Sequence, residues 1–256
     1  MLLILPASKT QRFQSDDPIR SFTQPLFLKE AAQLVAALRA LSPGTLAARM
    51  KLSEPLAREV ANRYRSWCPP FTPHNARPAL HTYAGDLYAA LDASALSAEE
   101  RALAQRRVRI LSGLYGLLRP QDLMQPYRLE MGARLDVGNL YAFWGSRLTE
   151  ALNADLEKQG EPVLLNLASE EYARAIHPAK LRGRIITPVF QEAQNGGFRV
   201  VSFSAKRARG LMARHILRNR LDAPDPLKEF QEEGYRYSEA DSSPERWIFR
   251  RPAKVG

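Results

Sequence analysis

The chain has 256 residues, of which 45% are hydrophobic and 25% charged, a composition that is typical of a folded globular protein and excludes a disordered one. Its 37 lysines and arginines outnumber 27 aspartates and glutamates, and the formal net charge of +10 favours polyanionic or phosphorylated partners. A single cysteine excludes an intramolecular disulfide, and no stretch approaches the roughly 20 apolar residues of a spanning helix, so we expect a cytoplasmic protein without a membrane partner.

The predicted elements begin with a short buried strand over residues 2–5, followed by a polar loop. Lys9 in this loop is placed as a phosphate-binding lysine is, directly after a strand. Apolar residues at helical spacing predict a helix over 28–41. A second helix is predicted over 54–67, with Ser53 as its cap.

The next helix is predicted by a capping box, in which Ser97 and Glu100 satisfy each other's backbone amides. It leads into a short strand or buried turn over 108–111.

The segment 111–116 has the hydrophobic-x-Gly-hydrophobic-x-Gly form of a helix-hairpin-helix turn. Gly113 and Gly116 would permit a tight turn whose backbone amides point at a phosphate, a contact that reads no base sequence. Arg109 and Arg119 flank the turn and would add charge-assisted bonds to neighbouring phosphates. The alternative is a buried turn that uses its glycines for packing.

The second half alternates predicted strands with one long helix. The strands are predicted over 163–167, 185–190, 198–203, 235–237 and 246–251. Asn195-Gly196-Gly197 predicts a hairpin turn before the third of them, and a basic helix is predicted over 206–220. Because no repeat or linker interrupts the chain, we predict one compact mixed α/β domain over 1–256.

The tract 198–221 contains seven basic residues and no acidic one. The seven are Arg199, Lys206, Arg207, Arg209, Arg214, Arg218 and Arg220. Like charges along one helix repel each other, so either an anionic ligand compensates them or they pair with acids elsewhere in the chain. Lys206 and Arg209 lie close to the start of the predicted helix, where its dipole also favours an anion.

Where the strand over 163–167 meets the following helix, Ser169, Glu170 and Glu171 either cap that helix or contribute chemistry at the end of the strand. The sequence has no recognisable catalytic triad, P-loop or metal-binding motif, and its four histidines share no metal-ligand spacing. We therefore predict no metal and no cofactor, and we leave open whether the protein is an enzyme. Direct binding of iron is also disfavoured, because iron sites usually need clustered histidine, cysteine or carboxylate ligands. The sequence offers only scattered histidines and one cysteine.

Several motifs, in order and along nearly the whole chain, resemble the YaaA family of bacterial peroxide stress resistance proteins. They are Gly85-Asp86 with Tyr88, Leu111 to Gly116 with Leu118-Arg119-Pro120, Asp122 to Gly132, Phe143-Trp144-Gly145, Asn166 to Ser169 with Glu171-Tyr172, Ala205-Lys206 with Ala208 to Met212, and Glu233-Gly234-Tyr235. The family's usual Ser-Pro-Ala-Lys-Thr is altered here to Pro6-Ala7-Ser8-Lys9-Thr10, which keeps Lys9.

The resemblance implies a compact α/β fold of unusual topology with a positively charged cleft, a helix-hairpin-helix element and DNA-binding activity. It also implies a role in surviving hydrogen peroxide, associated with lowered free iron and less oxidative DNA damage. We accordingly predict a protein that grips the backbone of double-stranded DNA, with distorted or damaged duplex as a candidate form, and that needs no obligate protein partner.

The predicted DNA contacts come from both basic segments and the glycine turn. They are Lys9, Arg109, Gly113, Tyr115, Gly116, Arg119, Arg128, Lys206, Arg207, Arg209 and Arg214. The alternative is an enzyme that acts on a small anionic substrate, such as a nucleotide, in the same basic cleft. Its candidate catalytic residues are Lys9, Asp86, Glu130, Ser169 and Glu171. Buried pairing of Glu130 with Arg128 or Arg119 would instead make it a structural support.

Overall fold

A mostly parallel sheet forms the centre of the part of the chain that the structure describes. The structure is a computed structural model and describes residues 1–14, 19, 21–135, 138–158, 162–194 and 196–252. Of the predicted hairpin turn at 195–197, Asn195 lies outside the described residues. The predicted mixed α/β class is confirmed.

The strands in chain order are β1 (Leu2–Pro6), β2 (Arg77–Pro78), β3 (Val108–Ser112), β4 (Gly116–Leu118), β5 (Leu123–Met124), β6 (Arg134–Leu135), β7 (Gly138–Asn139), β8 (Val163–Asn166), β9 (Arg184–Gln194), β10 (Gly197–Arg199), β11 (Arg236–Tyr237) and β12 (Arg246–Arg251). The α-helices are α1 (Leu28–Arg39), α2 (Pro43–Met50), α3 (Glu54–Ser66), α4 (Ala79–Thr82), α5 (Asp86–Leu91), α6 (Ala98–Arg107), α7 (Leu140–Trp144), α8 (Arg147–Leu156), α9 (Glu170–Ala173) and α10 (Ser202–Arg218). Short 3-10 turns complete the connections.

The central sheet has the strand order β11-β12-β9-β8-β1-β3-β4, and β10 pairs with β9. The five strands from β12 to β3 in this order are parallel, whereas β4, β10 and β11 are antiparallel additions. The carboxyl ends of β1, β3, β8 and β9 therefore lie along one edge of the sheet. Outside it, β2 pairs with β5 and β6 pairs with β7.

The N-terminal strand lies in the middle of the sheet. Residues 2–5 are each at most 1% exposed, because β1 pairs with β3 on one side and β8 on the other. A parallel strand in this position is covered on both faces, which explains its continuous apolar run. The short predicted strand is thus confirmed, and the residue that follows it, Ala7, begins the loop that carries Lys9.

The segment from 108 to 118 is a β-hairpin, which makes the predicted helix-hairpin-helix turn at 111–116 wrong. β3 and β4 pair antiparallel, with Leu111 opposite Leu117. Gly113 in the turn is packed so closely that an added Cβ would lie 2.4 Å from the carbonyl oxygen of Leu129. The same glycine pattern suits both kinds of turn, and the apolar residues on either side of it form strands here because they fill the sheet.

The predicted capping box is confirmed, whereas Ser53 occupies the N-cap position of α3 without a side-chain capping bond. Ser97 accepts from the amide of Glu100, and the glutamate side chain accepts from the amide of Ser97, so the capping box is complete. One boundary is wrong: the strand predicted over 198–203 ends at Arg199, and α10 begins at Ser202. The β-branched residues between these positions favour a strand locally, whereas the end of pairing with β9 leaves the chain free to enter a helix.

Helix α10 packs directly against α5. An added Cβ on Gly210 would lie 2.0 Å from the carbonyl oxygen of Leu87, so only glycine allows this approach. Leu87 follows Asp86, and Arg209 precedes Gly210, so this contact brings the backbones of two predicted site residues near each other. Among the described residues, no helix has both the length and the apolar character needed to cross a membrane.

Candidate functional site

The loop after β1 carries Lys9 to the carboxyl edge of the sheet. The amide of Ala7 donates to the carbonyl of Leu111 at 2.7 Å, and the amide of Ala84 donates to the carbonyl of Thr10 at 3.0 Å. These bonds fix both ends of the loop. The side chain of Lys9 is 58% exposed, and its Nζ lies 2.8 Å from Oε2 of Glu130.

Glu130 stands between two cations. Its second oxygen, Oε1, lies 3.9 Å from Nη2 of Arg128, a separation too long for a hydrogen bond. Arg128 is mostly buried, and its Nε has no hydrogen-bond partner among the described residues. Its backbone is fixed independently, because the hydroxyl of Tyr64 donates to the Arg128 carbonyl oxygen. Glu130 thus pairs closely with Lys9, whereas Arg128 keeps a buried Nε without a hydrogen-bond partner in the described structure.

The end of β8 brings a second acidic segment to the same edge. Ser169 precedes α9 but makes no side-chain capping bond, so its predicted capping role is wrong. Oε1 of Glu171 accepts from the amide of Gly132 at 2.9 Å, which joins α9 to the segment that carries Glu130. Glu170 is exposed beside it.

Tyr172 is a residue of this edge that the candidate predictions omitted. It is 7% exposed, and it lies close enough to Arg128, Glu130 and Glu171 to interact electrostatically with all three. Burial is the largest cause that raises the pKa of its phenol, and the charges of Glu171 and Glu130 raise it further while Arg128 lowers it. The hydroxyl is therefore protonated at neutral pH and can donate a hydrogen bond. Its place in the motif after β8 was the available sequence signal.

We call Lys9, Arg128, Glu130, Glu171 and Tyr172 the carboxyl-edge cluster. Four of the five were predicted as site residues, and they come from three separate segments of the chain. The sheet brings these segments together. The cluster combines two cations, two carboxylates and a protonated phenol.

An open pocket of about 470 Å³ lies beside the cluster. It is lined by Gly132, Arg134, Asn139, Tyr141, Glu170, Glu171 and Arg174. The guanidinium carbon of Arg174 lies 4.9 Å from the centre of the Tyr141 ring, and the Tyr141 hydroxyl donates to the Glu171 carbonyl at 2.9 Å. Small-molecule sites have volumes of this order.

The residues predicted around the glycine turn have structural partners. Gly113, Tyr115 and Gly116 are buried, and the Tyr115 hydroxyl accepts from Trp67 Nε1 at 3.0 Å. Arg109 is also buried, and its Nε donates to Asp155 at 2.7 Å. These four positions therefore serve packing and ion pairing within the fold, and the DNA contacts predicted there remain predictions.

Arg119 closes its own turn instead of extending a free basic track. It donates to Oδ1 of Asp122 through Nε at 3.2 Å and Nη2 at 3.0 Å, and its backbone amide donates to Oδ2 of Asp122 at 2.7 Å. Burial raises the pKa of Asp122, while these bonds and one from Thr23 act to lower it. Arg119 is 40% exposed, but its charge is largely committed to this carboxylate.

The acid-free tract is compensated only in part. Arg207 pairs with Glu233 at 2.5 Å, Arg214 with Glu232 at 3.3 Å, and Arg220 with Glu99. These acids lie outside the tract, as the predicted alternative required. Four cations of the tract have no ion-pair partner within the ranges that the structure describes: Arg199, Lys206, Arg209 and Arg218.

The unpaired cations near the start of α10 are accompanied by exposed aromatic rings. Phe198 is 43% exposed and Phe203 is 56% exposed, and the guanidinium of Arg250 lies 4.3 Å from the Phe198 ring centre. We call Phe198, Arg199, Phe203, Lys206 and Arg209 the junction patch. Sequence reasoning found its cations but missed the rings, because an apolar residue in a strand or helix is more often part of the core.

Two remaining sequence predictions concern Asp86 and metal binding. Asp86 is half-buried in the first turn of α5, where its charge suits the helix dipole, and it has no ion-pair partner among the described residues. Within those residues, no group of three histidine, cysteine, aspartate or glutamate side chains is placed to hold a metal ion.

Comparison with known proteins covers nearly the whole chain. Residues 1–241 match the family described as peroxide stress protein YaaA. A UPF0246 protein of Aliivibrio fischeri strain MJ11 is 47% identical over 254 residues, 98% of each chain. A UPF0246 protein of Ralstonia nicotianae is 48% identical over 256 residues, which cover 99% of this chain and all of the relative. One from Alteromonas mediterranea is 48% identical over 254 residues, 98% of each chain.

Proposed function

The chain belongs to the family of the peroxide stress protein YaaA, and from this premise we propose that it binds DNA through the phosphate backbone and thereby helps to limit iron-driven oxidative damage. Because DNA is the proposed partner, the proposed compartment is the cytoplasm. The observation that carries the proposal is a set of cations without acidic partners among the described residues: Arg199 before α10, and Lys206 and Arg209 in the first half of that helix.

The junction patch has the electrostatics of a phosphate-binding surface. Lys206 and Arg209 lie three residues apart on α10, and Arg199 precedes the helix in β10. The first turn of α10 contains no acidic residue and has no side-chain cap, so its amides and its dipole add positive potential. Burial lowers the pKa of Arg209, as expected for a guanidinium that lacks a carboxylate partner.

The proposed basic cleft has Lys9 on one side and the junction patch on the other. The loop that carries Lys9 is bonded to Ala84, while α10 packs on Leu87 through Gly210. Both basic segments are therefore anchored on the same short stretch of chain. We propose that a duplex lies across this stretch.

The exposed rings of the patch favour distorted DNA as the partner. Phe203 is more than half exposed within a cationic surface, which is an unusual position for a large apolar side chain. Aromatic rings stack on unpaired bases at about 1–3 kcal/mol per base, whereas paired bases inside a duplex are not accessible to them. We therefore propose that bulged duplex binds more tightly than intact duplex.

A helical hairpin elsewhere is the candidate for the helix-hairpin-helix element of the proposal. α2 and α3 are joined by three residues, and Lys51 in this turn has the left-handed φ of 52°. Lys51 is exposed. We propose that this hairpin, and not the turn at 111–116, makes any additional contact with the backbone.

The test is salt-dependent binding of the purified protein to intact and bulged duplex. We expect log affinity to fall linearly with log salt concentration, because bound cations displace counterions. In the double variant Lys206→Glu/Arg209→Glu, we expect at least about a tenfold loss of affinity and a salt slope smaller by about 2.

The matched control is Arg106→Glu/Lys180→Glu, which makes the same change in net charge at exposed positions outside the patch. We expect it to retain most of the wild-type affinity and slope. A flat salt response of the wild-type protein, or equal losses in both double variants, would count against DNA binding at this surface.

A second candidate function is an enzyme that acts on a small anionic substrate in the same basic cleft. One observation favours it: the carboxyl-edge cluster places Glu130 between Lys9 and Arg128, and Glu171 beside the 470 Å³ pocket. Acidic, basic and cationic side chains that lie close together are typical of catalytic sites. Turnover in a screen of nucleotides that is lost in Glu130→Gln would support it, and no turnover by the wild-type protein would count against it.

A further inference from the structure

Arg128 is a mostly buried cation whose Nε has no hydrogen-bond partner among the described residues. Its side chain is 20% exposed, its Nε is buried without a hydrogen-bond partner in the described structure, and its ion-pair contact there is Glu130 at 3.9 Å. A guanidinium offers five N–H donors, and burying it without acceptors is costly. The buried Nε of Arg128 therefore has no acceptor in the described part of the protein.

Tyr172 is a second hydrogen-bond donor close to Arg128. Tyr172 is 7% exposed, and its phenol lies close enough to Arg128 and Glu130 to interact with their charges. A phenol on α9 and a guanidinium on the chain after β5 thus lie within electrostatic range of each other, and the guanidinium has a buried Nε without an acceptor in the described structure.

Glu130 does not fill this role, because its carboxylate is drawn toward Lys9. Oε2 lies 2.8 Å from Lys9 Nζ, whereas Oε1 remains 3.9 Å from Arg128. The carboxylate cancels one of the two positive charges and leaves the other uncompensated. Lys9, at 58% exposure, stands at the solvent side of the cluster, and Arg128 lies deeper.

We propose that Arg128 and Tyr172 bind the oxyanion of a small ligand, a terminal carboxylate or phosphate group, with Lys9 at the entrance. A planar guanidinium binds either oxyanion through two parallel bonds, and the phenol donates a third. The backbone phosphates of a duplex are flanked by sugars on both sides and cannot reach a buried Nε. Arg128 and Tyr172 lie outside the junction patch, although Lys9 also belongs to the proposed cleft. The inference deepens the second candidate function, a site for a small anion, and does not rest on DNA binding.

The experiment is isothermal titration calorimetry of the full chain with inorganic phosphate and, separately, with acetate, at constant ionic strength. We expect saturable binding of at least one anion. Binding of phosphate alone identifies the ligand group as phosphate, and binding of acetate alone identifies it as carboxylate. No saturable heat with either anion would overturn the proposal.

Tyr172→Phe removes the phenol hydroxyl and keeps the ring in the core. We expect it to weaken anion binding by about tenfold or more, the equivalent of one hydrogen bond to a charged group. Tyr237→Phe is the matched control, since it removes a phenol hydroxyl from β11, and should bind as the wild type does. Equal affinity of Tyr172→Phe and wild type would contradict the assigned role of the phenol.

Arg128→Met tests the guanidinium while keeping an apolar stem of similar length. We expect loss of anion binding, with an unchanged circular dichroism spectrum as the check on folding. The affinity of both variants for duplex DNA separates the two proposals: a loss of anion binding with unaltered DNA affinity supports a distinct site. A parallel loss of DNA affinity would instead assign this site to the DNA surface.

Discussion

At the scale of single residues, the partner of each arginine decides what it can do. Arg109 and Arg119 flank the glycine turn in sequence, and both bind carboxylates that the fold supplies. Arg128, only nine residues after Arg119, has no such carboxylate within hydrogen-bond distance. The same residue type is thus a structural support at two positions and a candidate ligand-binding group at the third.

We predict that Arg109→Met destabilises the protein without changing its DNA affinity. The substitution leaves Asp155, whose side chain is 22% exposed, without its main partner, although Lys158 at 3.4 Å compensates in part. Breaking a buried pair costs about 3–5 kcal/mol, and the partial exposure of Asp155 reduces this to about 2–3 kcal/mol. Urea unfolding measures the loss, and Arg109→Met/Asp155→Asn should recover part of it.

At the scale of elements, the hairpin between β3 and β4 illustrates a glycine selected by close packing. We predict that Gly113→Ala lowers the free energy of unfolding by about 2 kcal/mol or more, because its Cβ would lie 2.4 Å from the Leu129 carbonyl oxygen and the backbone must shift. The matched control is Gly197→Ala, where no atom lies within 4 Å of the new Cβ. Equal thermal unfolding temperatures for the two variants would contradict close packing at Gly113.

The C-terminal strands are fastened by a network of charges. Arg251 on β12 donates to Glu192 on β9, and it also pairs with Glu233 at 3.1 Å. Burial raises the pKa of Glu192, but hydrogen bonds from Ser204 and Arg251 and the charge of Arg251 lower it more, so the net shift is downward. The network ties β9, β12 and the chain before β11 to one another.

This network predicts a specific acid sensitivity. A carboxylate whose pKa is lowered in the folded state contributes stability above its unfolded value of 4.5, and that stability is lost as pH falls below this value through the folded pKa. We expect Glu192→Gln to be less stable than wild type at pH 7 and to lose less stability between pH 5 and pH 3, two values chosen to bracket the transition. Urea midpoints across this range provide the measurement. Parallel curves for the two proteins would contradict the linkage.

At the scale of the whole molecule, the central strand joins two parts that are distant in sequence. β1 pairs with β3 from the first half of the chain and with β8 from the second, so neither part completes its sheet alone. We predict that the chain unfolds as one cooperative unit.

Single-tryptophan variants test this prediction. Trp144 reports on the β3–β4 side, and Trp247 lies in β12 on the far side of the sheet. In a variant that retains only one of them, fluorescence and far-ultraviolet circular dichroism should give the same urea midpoint. Separate transitions in either variant would indicate two domains.

The sequence by itself predicted the elements whose signals are local. The capping box at Ser97, the helix over 28–41 and the apolar run of β1 required only neighbouring residues, and each is confirmed. It also placed Lys9, Glu130 and Glu171 among the candidates. Local patterns did not distinguish a strand pair from a helical turn at 111–116, because the deciding contact, between Gly113 and Leu129, is not local.

The sequence determined the class of fold, the excess of positive charge and the family, because composition and motifs are carried by the chain itself. Only the tertiary structure decided which charges are free. Arg207 meets Glu233 and Arg109 meets Asp155, whereas Lys206 and Arg209 meet no acid in the described structure. The physical reason is that an ion pair depends on distances between side chains far apart in sequence, and folding alone sets those distances.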